Sequence, residues 1–140
     1  MKLEAAKCAL DASLQRAADL LGDITPHVFA RHYKSHPESM VEFVQDFPAG
    51  RQALEGQMVE QVLYCLMTWF ECPGEIEMVL LSTLPHHIDT LKVMPAHFTA
   101  LICAVCDTIT DTIPADRIEE LAVWRELRGE LLNAVSLAAG

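Results

Sequence analysis

The chain is short of positive charge and of long apolar runs, and each shortage removes a class of function. It has 10 Lys and Arg against 20 Asp and Glu, a formal net charge of -10. Phosphate binding needs a clustered basic face, so neither nucleic acid nor an anionic membrane surface is expected as a partner. The longest apolar stretches, such as Val62 to Leu66 and Met78 to Leu81, are far too short to span a bilayer. The opening run from Met1 to Leu14 contains Glu4 and Asp11, unlike a secretory leader. Five cysteines, an odd number without framework spacing, read as reduced thiols, so a cytoplasmic location is expected. No β-alternation, internal repeat or low-complexity segment stands out.

What is present is helical patterning with clear punctuation, in a chain of 140 residues that is 51% apolar and suited to one core. Leu3, Leu10, Leu14, Ala17 and Leu21 form one stripe, ended by Gly22 and Asp23. Asp23-Ile24-Thr25-Pro26 starts a second helix carrying Val28, Phe29, His32 and Tyr33, which stops at His36-Pro37. Glu38 to Gly50 reads as short and irregular. Arg51 to Phe70 is a long predicted helix, with Leu54, Met58, Val62, Cys65 and Trp69 along one stripe and Val59, Leu63, Leu66 and Phe70 beside it. Cys72-Pro73-Gly74 breaks it, and Ile76 to Leu84 is helical again. Pro95 opens the next helix, and Pro114 separates that from a last one, Asp116 to about Leu137. An all-α domain follows.

Several landmarks occur in an order with a precedent. The first is Phe29 through Tyr33 to His36-Pro37-Glu38, then Phe43 six residues after the proline. The second is Gly56 through Leu63, the third His86-His87 followed by Val93, Pro95 and His97-Phe98, and the fourth Trp124 through Leu131. In order and spacing the set resembles the globin family, specifically bacterial single-domain globins, across nearly the whole chain. The resemblance implies a globin-like fold over residues 1–140 and a heme, iron protoporphyrin, in a helical pocket. It places Phe29, Phe43, Leu54, Met58, Val62, Leu84, Val93 and Phe98 around that heme and His87 on its iron. It also implies a diatomic gas ligand (oxygen, nitric oxide or carbon monoxide) and admits pairing of two copies through the last two helices, with Val123 and Leu132 as contact residues.

The physical reading runs the same way, because a flat apolar disc with two anionic propionates needs a greasy slot and one imidazole. Each apolar residue above has ordinary core packing as its alternative. The iron-bound histidine of bacterial globins commonly stands seven residues before the proline matching Pro95, which here is Ile88. His87 is one residue further back and His86 two, so His87 requires a one-residue insertion in the corner, a change that loops tolerate. No histidine lies between Pro37 and Pro85, so the distal position falls on Leu54, Glu55 or Met58. An apolar distal side offers bound oxygen no hydrogen bond and leaves carbon monoxide and nitric oxide free to bind. Met58, if it reached the iron, would make a His/Met site of the electron-transfer kind.

Two alternatives stand beside the gas binder. One is a heme-free globin-like sensor or interaction domain, with the pocket empty or filled by a fatty ligand. The other is a heme enzyme, a nitric oxide dioxygenase or weak peroxidase. Phe98 stands where flavohemoglobins carry tyrosine, and peroxide cleavage needs a polar group to move protons, so enzyme activity is not the leading expectation. Cys103-Ala104-Val105-Cys106 lacks the two further ligands of a zinc site and reads as packing. His86, His87 and His97 could join on a transition metal, though His97 reads better as half-buried.

Overall fold

Proline and glycine set most of the helix boundaries. The computed structural model describes residues 3–46, 49–89 and 95–139. Among them lie seven helices and no strand: α1 (Leu3–Leu21), α2 (Thr25–Ser35), α3 (Pro37–Asp46), α4 (Arg51–Thr68), α5 (Pro73–Asp89), α6 (Pro95–Thr110) and α7 (Ile118–Ala139). The all-α class is therefore observed. Gly22 ends α1 in the left-handed region, φ 68°, where a side chain would be strained. The Thr25 N–H donates to the Asp23 carboxylate at 3.0 Å, and Pro26 pre-sets the first turn of α2.

Two expectations about the elements are corrected. Residues 38 to 46, read as irregular, continue the helix α3 that Pro37 opens. Proline at the first helical position costs no hydrogen bond, and Glu38 in the first turn complements the positive end of the helix dipole. The helix expected over Ile76 to Leu84 is longer, starting at Pro73 and running through Pro85 to Asp89. Pro85 removes one backbone bond, the one to the carbonyl of exposed Leu81, where water can take its place.

Most of the buried apolar residues form one connected cluster. From α7 it takes Trp124, Leu127 and Leu131, from α6 Val105, Cys106 and Ile109, from α4 Leu66 and from α2 Val28. α7 packs against α1, α5 and α6, and α2 packs against α6. Covered on three sides, α7 buries Val123 completely, so Val123 has no surface to offer a second copy, and Leu132 is only half-exposed. A polar clip ties α1 to α7: Arg16 donates to the Glu120 carboxylate, and the fully buried Ser13 hydroxyl lies within reach of it. Arg16, and then the Ser13 hydroxyl, hold the Glu120 carboxyl below the usual carboxylate range against the opposing effect of burial. No helix among the described residues is long and apolar enough to cross a membrane.

Candidate functional site

Four helices, α4 to α7, frame a cavity of about 470 Å³, within the range of small-molecule sites. α4 contributes Leu54, Met58, Val62 and Cys65, one turn apart along a single stripe. α5 contributes Val79, Leu80, Thr83 and Leu84, and α6 Phe98, Leu101 and Ile102. Leu131 and Val135 of α7 close the far side. Leu84, Leu101 and Leu131 are at most 3% exposed and belong to the same cluster as the core. The cavity is thus a half-open cleft floored by the hydrophobic core.

Five of the eight residues expected around a pocket meet here: Leu54, Met58, Val62, Leu84 and Phe98. Phe29 does not join them. It is buried on α2, its ring 5.2 Å from Tyr33 and 5.8 Å from His32, centroid to centroid. The side chains of Phe43 and His87 lie outside the described residues, although α3 and α5 run through both positions. Val93 lies outside them altogether.

Leu54, Glu55 and Met58, adjacent on α4, do not all face the same way. Leu54 and Met58 face the cavity, whereas Glu55 turns to α2 and accepts a hydrogen bond from the Tyr33 hydroxyl. Arg51 lies 3.9 Å from the Glu55 carboxylate. Burial first, then the bond to Glu55, pushes the Tyr33 phenol well above its ordinary value. Tyr33 therefore remains a neutral donor to a buried carboxylate.

Sequence reading missed Gln57, Gln61 and Thr83, which add amide and hydroxyl groups to the lining. Glu60 lines the cavity as well, and both glutamines and Glu60 are exposed, which puts them at the mouth. Their only signal was position, since each flanks an apolar stripe residue. No lysine or arginine lines the cavity among the described residues.

Cys103 and Cys106 share a face of α6, with Cys106 fully buried and its thiol pushed up to about 12 by burial. A thiol that resists ionisation is a packing group and a poor metal ligand. Among the described residues no group of three or more His, Cys, Asp or Glu is arranged to hold a metal ion. Comparisons with protein-family descriptions, with curated proteins and with solved structures return no match to this chain.

Proposed function

We propose that the chain is a globin-like protein that holds a heme in the cavity between α4 and α7, with His87 as the iron ligand. The observation that carries this reading is the meeting of Leu54, Met58, Val62, Leu84 and Phe98 around one half-open cleft. These residues come from three helices and meet at that cleft.

Helical register supports His87 over its neighbours. At about 100° per residue, the mean direction of positions 79, 80, 83 and 84 falls about 10° from position 87. The same count puts position 86 about 90° away and position 88 about 110° away. α5 is continuous from Pro73 to Asp89, so positions 79, 80, 83, 84 and 87 share one side of the helix by backbone register. This favours the inserted residue over the count that lands on Ile88.

The lining suits the group in part. Aliphatic walls exclude water and would cover the faces of a porphyrin. Gln57 and Gln61 supply neutral donors at the mouth, where the propionates of a heme would emerge, and Glu60 opposes them. When bound, the iron supplies a coordination position for a small gas such as oxygen, nitric oxide or carbon monoxide. On the α4 side, Leu54, Met58 and Val62 offer that position no N–H or O–H, so carbon monoxide and nitric oxide are expected to compete well against oxygen. The absence of a cation among the described lining residues favours a second reading, a heme-free domain whose cavity takes a neutral apolar ligand.

The absorption spectrum of the purified protein separates the two. A heme Soret band that is lost in His87→Ala and kept in His86→Ala is the expected result. A colourless protein that also refuses added hemin removes the heme reading and leaves the apolar-ligand domain.

A further inference from the structure

A second assembly lies where α2 meets α3 and α6, and it is polar where the cavity is apolar. His32 sits in the last turn of α2, His36 directly after that helix and His97 in the first turn of α6. The rings of His32 and His36 stack with centroids 5.4 Å apart. His97 stands edge-on to both, 6.4 Å from His32 and 5.8 Å from His36. Its Nε2 lies 3.3 Å from a carboxylate oxygen of Glu38, in the first turn of α3. His32 is 4% exposed, and the Nδ1 atoms of His32 and His36 are buried without a hydrogen-bond partner among the described residues.

We propose that these three imidazoles form a proton-operated latch on the α2–α6 seam, closed when neutral and opened by mild acid, which shifts Phe98 and so alters the cavity wall. His97, which stands against both other rings, reaches the Glu38 carboxylate, which is itself exposed. On α2 the remaining group facing His32 is Tyr33, whose hydroxyl is committed to Glu55 of α4. A proton on buried His32 sits beside two further imidazoles, whose centroids are 5.4 and 6.4 Å away. Burial, then His36 and His97, push His32 down to about 4, with Glu38 opposing.

The link to the cavity is covalent. His97 and Phe98 are consecutive residues of α6, and Phe98 lines the opening. Arg31 of α2 pairs with Asp111 beyond the opposite end of α6, at an exposed position. Protonation therefore acts on the end of the seam nearest the cavity wall. The latch goes beyond the proposed cofactor and does not depend on it.

The test is hydrogen–deuterium exchange on the full chain without added ligand, at pH 7.5 and pH 5, corrected for the intrinsic pH dependence of amide exchange. Peptides from α2 and the start of α6 are expected to lose protection by up to about tenfold per pH unit for each proton involved, while α7 keeps its own. His32→Leu, similar in size and without a titrating group, is expected to keep protection at pH 5. His27→Gln, exposed on the same helix, is expected to behave like the parent. Should His32→Leu not fold, His97→Gln carries the same expectation from the other side of the seam. Equal protection of the parent at both pH values overturns the latch, as does an undiminished loss in these variants. Binding of the neutral fluorophore N-phenyl-1-naphthylamine reads the cavity: its affinity is expected to fall with protection in the parent. Lost protection with unchanged probe affinity overturns the link to Phe98.

Discussion

The cavity and the histidine seam meet at two consecutive residues, Phe98 and His97, and are built on opposite terms. The cavity is assembled from aliphatic side chains whose attraction is non-directional, so neighbouring residues can share the loss when one is trimmed. The seam depends on ring positions and protonation states, and a single proton changes its balance. One region is therefore sensitive to volume and the other to pH. A chain that puts both on α6 has a means of coupling them.

The largest effect expected is one of volume, and it differs between closed core and cavity wall. Leu127→Ala, in the fully buried core, is expected to cost about 2–5 kcal/mol in urea unfolding. Leu54→Ala, half-exposed beside the cavity, is expected to cost less than about 2 kcal/mol, since less of its surface is covered at the outset. Equal losses would mean that the opening closes in solution.

The next effect belongs to the seam. His32 is held neutral in the folded chain down to about 4, whereas in the unfolded chain it takes its proton near its ordinary 6.5. The unfolded state thus binds more protons between those values, so stability is full above about pH 6.5 and falls as pH drops toward 4. The slope expected from this one group is up to about 1.4 kcal/mol per pH unit. His32→Leu is expected to flatten that part of a urea-midpoint profile, and an unchanged profile would assign the acid sensitivity to other groups.

Tyr33→Phe probes the ground between the two regions, because it leaves the buried Glu55 carboxylate without its hydroxyl donor. A loss of about 1–3 kcal/mol in urea unfolding is expected at neutral pH. The smallest effect is at the cavity mouth. Glu60→Lys replaces the anion there by a cation and is expected to tighten hemin by up to about fivefold, the range of an exposed ion pair. Weaker hemin binding in that variant would place the propionates elsewhere.

How far each region could be read in advance follows from how local its signals are. Leu54, Met58 and Val62 repeat at helical spacing, so their common face needed no knowledge of the fold. Leu84 and Phe98 were reached through the resemblance to globins, and the cavity contains them. Gln57 and Gln61 lie on the border of that stripe, and whether a border residue meets a cavity or solvent depends on the neighbouring helix. Val123, expected to face a second copy, is buried because α7 is enclosed by α1, α5 and α6. The seam had no local signal beyond the spacing of His32 and His36, because its other two members sit on different helices.

Local chemistry by itself determined the helices: proline at their starts, glycine after α1 and apolar stripes at three- and four-residue steps are properties of short segments. It also determined the acidic charge balance, which needs no coordinates. Tertiary structure alone decided that Leu84 and Phe98 face one opening with α4, that Glu55 turns from it toward Tyr33, and that three histidines share one seam. The reason is range. Turn and stripe signals act over a few residues, while burial and pairing are set by which helices come to lie together, and that is a property of the whole chain.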